Sequence, residues 1–181
     1  MRLFIAVLIL IFSLQSWTKA DDISDFEIEG ISIGDNLLDY LDKTYVEKNK
    51  YFAVKGAKKY SSIGYFENLE NYEEVMINFK SSDYEIGSLS AFVTIKNIED
   101  CKITKNKIVK NISGLFLNTK SYETIDPYFQ DPETIVYSTI WELDNGFVRV
   151  ACYDWTEKSG NNLELRIDVA GKEFQLYLDE L

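Results

Sequence analysis

The chain has 181 residues, 30 acidic against 19 basic side chains, two cysteines and no histidine. A net charge of −11 makes the chain a poor candidate for nucleic acid, whose phosphates demand clustered Lys and Arg. Without imidazole there is no Ser-His-Asp or Cys-His nucleophile system and almost no route to a catalytic zinc site.

The first segment, MRLFIAVLILIFSLQSWTKA, sets Arg2 before an apolar run from Leu3 to Leu14 and ends in the small residue Ala20. That is the three-part form of a secretory signal peptide, too short for a membrane span of roughly 20 apolar residues. Cleavage is expected between Ala20 and Asp21, leaving residues 21–181 as one soluble domain with no stable membrane insertion. Loss of Arg2 and Lys19 takes the charge from −11 to −13. Heavy use of Lys, Asn, Ile and Tyr points to an AT-rich bacterial genome, hence to a periplasmic location.

After an acidic lead-in at 21–29, Ser32 and Asp35 form an approximate capping box, with Ile33, Leu37 and Leu41 at four-residue spacing. A helix is expected over about 33–44. Residues 43–59 hold six lysines and one acid, Glu47, and read as a solvated loop able to meet an anionic partner. Strands follow at Tyr60–Phe66, around Val75, Ile77 and Phe79, and around Leu89, Ala91, Val93 and Ile95. Cys101, Ile108, Ile112 and Leu115 share one face of a helix expected over 98–117, which Gly114 weakens. Residues 118–133 show no periodicity, contain Pro127 and Pro132, and read as a long loop.

Next, TIVYSTIWELDNGFVRVACYDW over 134–155 reads as two strands joined at Asn145-Gly146 by a type I′ turn. That turn sets Leu143 opposite Val148, Glu142 opposite Arg149 and Thr139 opposite Cys152. Tyr137, Trp141, Val148, Val150 and Cys152 then face the core. Leu163, Leu165, Ile167 and Val169 alternate with Glu164, Arg166 and Asp168 as a strand wet on one side. Phe174, Tyr177, Leu178 and Leu181 close the chain as a short amphipathic helix.

The expected fold is thus α+β, a mainly antiparallel sheet of about six strands with helices on one face, in the order α-βββ-α-βββ-α. That order resembles the tandem modules of β-lactamase-inhibitory proteins and the related small outer-membrane assembly lipoproteins. In addition, EGISIGDNLLDYL at 29–41 and VACYDW at 150–155 resemble a family of secreted proteins from small-genome bacteria. This second resemblance implies an export route and a fold, with no assigned activity.

An even cysteine count in an exported chain predicts a disulfide. Helix periodicity and hairpin register point Cys101 and Cys152 into one helix–sheet interface. No catalytic residue, metal ligand or cofactor motif stands out. The second face of the hairpin carries Val136, Ile140, Ala151, Tyr153 and Trp155 beside Arg149. So apolar an outer face calls for a cover, which is the loop 118–133, a second subunit, or a ligand. Ile140, Arg149, Tyr153 and Trp155 are the candidate binding residues for an unknown protein or small-molecule partner. The competing expectation is a carboxylate-dependent hydrolase acting on cell-wall or polysaccharide material, which requires a concave site with convergent, perturbed acids.

Overall fold

A computed structural model describes residues 22–52, 58–67, 69–116 and 119–180; the expected signal peptide lies outside the described residues. A small ribbon, β1 (Glu27–Ile28) with β2 (Ile31–Ser32), precedes helix α1 (Lys43–Asn49). The first half of the main sheet is β3 (Tyr51–Phe52), β4 (Tyr60–Tyr65), β5 (Glu74–Lys80) and β6 (Ile86–Thr94). Helix α2 (Ile98–Ile112) leads to β7 (Ser121–Tyr128), β8 (Asp131–Leu143), β9 (Gly146–Asp154) and β10 (Glu164–Gly171), and α3 (Lys172–Asp179) follows. The eight strands lie in the order β3-β4-β5-β6-β10-β9-β8-β7, each pair antiparallel. Two four-stranded meanders therefore meet at β6 and β10. Among the described residues no helix is long and apolar enough to cross a membrane.

The α+β class and antiparallel sheet agree with the sequence reading, but the strand count and order differ. Eight strands replace the expected six because two more form: β3 at Tyr51–Phe52, within the expected lysine-rich loop, and β7 at Ser121–Tyr128, within the expected loop that ends in the start of β8. A strand exposed on both faces has no apolar alternation to read, and a sheet edge tolerates the prolines that would interrupt a central strand.

The helices also occupy both faces. Val46 of α1 and Cys101, Ile108 and Ile112 of α2 join Val75, Ile77, Leu89, Val148, Val150 and Ile167 in the main core. Phe174 and Tyr177 of α3 pack instead on the opposite face, against Tyr60 and Ala170.

The helix expected over 33–44 is absent. Gly34 sits at φ +93°, the chain makes only a short 3-10 turn at Leu37–Asp39, and α1 starts after Asp42, whose carboxylate caps Thr44 and Tyr45. Half of the capping box survives, since Ser32 N–H donates to Asp35 Oδ2 at 2.9 Å. Of the lysine-rich stretch, 43–49 is helix and 51–52 strand, while 53–57 lies outside the described residues.

The hairpin forms, but two residues away from the expected register. Leu143 pairs with Gly146, Glu142 with Phe147, Ile140 with Arg149 and Tyr137 with Cys152. Asp144 and Asn145 make the turn, and neither has positive φ. Gly146 serves a different purpose: a Cβ there would lie 2.2 Å from the Ala170 carbonyl oxygen. Because the slip is even, the face assignment survives while every opposed pair changes. The positive-φ hairpin turn is at Glu29 (54°) and Gly30 (77°), between β1 and β2.

The expected disulfide between Cys101 and Cys152 is formed, with Cα atoms 6.0 Å apart, and ties α2 to β9.

Candidate ligand-binding cleft

Alternation along the strands assigns the second face of the sheet. Cross-strand pairing aligns Glu74, Phe92, Arg166 and Ala151 in one row. The next row holds Met76, Ser90, Asp168, Arg149 and Ile140, and a third holds Thr94, Glu164, Tyr153 and Val136. This face is neither wet nor apolar. It carries charges that are half or fully buried.

Each buried charge needs a partner, and most have one. Arg149 Nε donates to Asp168 Oδ2 at 2.9 Å, and Arg149 Nη2 to the Tyr153 hydroxyl at 2.8 Å. Ser90 donates to the other oxygen of Asp168 at 2.6 Å. Arg166 pairs with Glu164 and stacks over Tyr153 at 4.3 Å from the ring centroid. Asp168 above all raises the pKa of Arg149, so this guanidinium is held firmly charged.

A wall rises at one end of this face. Tyr128 meets Trp155 edge-on at 5.1 Å and Tyr153 at 5.9 Å, while Trp155 stacks on Tyr153 at 5.5 Å. Asp131 fixes the wall by accepting the hydroxyls of Thr134 and Thr156, each at 2.7 Å. The short helical turn at Glu157–Ser159 and Gly160, at φ +70°, complete the rim. Between wall and sheet lies a cleft of about 630 Å³. Glu74, Phe92, Glu164 and Arg166 lie on its sheet side, facing Tyr128 and Trp155.

Both glutamates are perturbed. Burial raises Glu164, which Arg166 only partly offsets. Burial also raises Glu74, against the opposing pull of Arg166. Glu74 folds over Gly64, where a Cβ would lie 2.6 Å from its Oε1. It accepts no hydrogen bond and forms no ion pair among the described residues. Arg166 Nε and Trp155 Nε1 are buried without a hydrogen-bond partner, though the indole N–H approaches Glu164. Among the described residues, no group of three or more Cys, Asp or Glu side chains is placed to hold a metal ion.

The four candidate binding residues all fall on or beside this face, but only Trp155 lines the cleft. Tyr153 is 1% exposed beneath Tyr128 and Trp155. Arg149 is committed to Asp168, and Ile140 lies half-buried beside it in the pairing row. Sequence reasoning missed Glu74, Phe92, Glu164 and Arg166 because they alternate with core residues and read as solvated. The available signal was three charges at alternate positions of one strand, Glu164, Arg166 and Asp168.

No protein-family model, curated protein or solved structure matches this chain. Its function therefore has to be argued from the cleft itself.

Proposed function

We propose that this protein is an exported, periplasmic binding module whose ligand occupies the cleft between the sheet and the Tyr128–Trp155 wall. The observation that carries this reading is the floor of the cleft: aromatic rings beside the Arg166–Glu164 pair, already fixed by its neighbours, a surface that needs little ordering on binding. The Cys101–Cys152 bridge supports an oxidising compartment. The lining has three carboxylates, Glu74, Asp131 and Glu164, against Arg166, which argues against nucleic acid. Isotope-labelled protein titrated with short amines, polyols, dicarboxylates and cell-wall oligosaccharides tests the reading. At least one class is expected to shift the resonances of Trp155, Tyr128 and Phe92 together. Failure of all classes to move them would overturn it.

A second reading has one observation of its own. Glu74 and Glu164 both have raised pKa values in one cleft, as a carboxylate-dependent hydrolase of cell-wall or polysaccharide material requires. Release of new reducing ends from peptidoglycan, lost in Glu164→Gln, would favour it over binding alone.

A further inference from the structure

We infer that the cleft recognises a ligand carrying a protonated amine, with Glu74 as the group that selects it. This rests on the cleft being the ligand site and adds the chemistry of what enters.

The charges of the lining differ in how they are held. Arg166, the cation of the lining, pairs through Nη2 with Glu164 and stacks on the ring of Tyr153, with its Nε buried and unpartnered. Asp131 is occupied by two threonine hydroxyls. Glu74 is the carboxylate of the lining that makes no hydrogen bond or ion pair among the described residues; it is half-buried, and Arg166 acts on it only through space. An ionised carboxylate withdrawn from water without a partner is costly, and a ligand ammonium removes that cost. An anionic ligand would meet three carboxylates and one neutralised guanidinium. A neutral polyol would leave Glu74 as unpaired as before.

The apolar surroundings suit the same ligand. Phe92 is the direct cross-strand neighbour of Glu74, and Met76 follows on the same face of β5. Trp155 and Tyr128 supply further rings across the cleft. Aromatic faces attract an alkylammonium and pack its methylenes. Tyr51 carries the surface further toward β3: its hydroxyl donates to Met76 Sδ at 2.8 Å, and its ionisation is opposed by burial and by Glu74. The cleft thus offers one anion set in an apolar surface, which fits an alkylamine chain such as a lysine side chain or a diamine.

Three probes of equal length separate the chemistries: cadaverine, the neutral diol of the same chain, and glutarate. Each is titrated into the full exported chain while the indole N–H resonance of Trp155 is followed, assigned with Trp155→Phe. Cadaverine is expected to shift it saturably and the other two not. Glu74→Gln should weaken cadaverine about tenfold or more, the usual size of a charge-assisted contact. Gly64→Ala, whose new methyl displaces only the Glu74 and Phe66 side chains, should weaken it as well. Acidification that protonates Glu74 should release cadaverine from the wild-type chain. Equal binding of the diol, or an unchanged affinity in Glu74→Gln, would overturn the amine assignment and leave the cleft standing. Silence at Trp155 with all three probes would also overturn the amine assignment, while the cleft falls only if cell-wall oligosaccharides leave Trp155 unmoved as well.

Discussion

Arg149 and Asp168 face each other directly across β9 and β10, and the Arg149 side chain reaches the Asp168 carboxylate at 2.8–2.9 Å. The pair is largely withdrawn from water, with side-chain exposures of 30% and 8%. Breaking one side of such a pair costs more than replacing both. Asp168→Asn is expected to lose about 3 kcal/mol in urea unfolding. The double variant Asp168→Leu with Arg149→Met should lose less than the single one. A single variant as stable as wild type would show the pair to be idle.

The disulfide closes a loop of 51 residues. By the loop-closure argument this stabilises the fold by about 4 kcal/mol. Cys101→Ser with Cys152→Ser, or reduction of the wild type, should lower the melting temperature accordingly. Unchanged melting under reductant would contradict it.

Burial of Glu74 predicts a pH-dependent gain from its removal. Its carboxylate ionises less readily folded than unfolded, where the ordinary value is 4.5. Glu74 therefore favours the folded state below pH 4.5 and opposes it as pH rises through the raised folded value. Glu74→Gln should be more stable than wild type at neutral pH, and the two should converge on acidification. Glu173 behaves oppositely, because hydrogen bonds from Lys80 and Lys59 lower its pKa. Glu173→Gln should be less stable at neutral pH and equal below its folded value. Melts across pH 3–8 check both signs.

Gly146→Ala forces a methyl onto the Ala170 carbonyl at 2.2 Å. The obstacle is backbone, so β9 and β10 must separate there. A loss of about 1–3 kcal/mol is expected in denaturant unfolding.

Tyr153 lies beneath two other rings and bonds Arg149. Tyr153→Ala should cost about 3–5 kcal/mol, as buried aromatic truncations do. A tolerated change with intact melting would mean that Trp155 and Tyr128 do not depend on it.

What the sequence revealed followed burial. Val75, Ile77 and Phe79, and Leu165, Ile167 and Val169, alternate because one face of a central strand meets the core, so β5 and β10 were legible. The Cys101–Cys152 bridge was legible for the same reason, since it needs only the correct faces. The opposed pairs were not: an expected Glu142–Arg149 pair gave way to Arg149–Asp168, a contact to a strand beyond the hairpin. Nor was β7, whose Ser121, Tyr122 and Glu123 are all exposed and carry no pattern. The cleft was hidden because Glu74 and Arg166 look solvated until a distant wall, Tyr128 to Trp155, is brought over them.

The meeting of the two meanders at β6 and β10 makes the central seam a pairing of strands far apart in the chain. Ser90 and Asp168, joined across that seam, are 78 residues apart in the chain. Each meander assembles from neighbouring strands, but the seam must wait until the last strand is available. Until then β6 is unpaired on one side, although in the finished sheet it is central. A chain shortened before Glu164 would keep that side open permanently, inviting intermolecular strand pairing and aggregation.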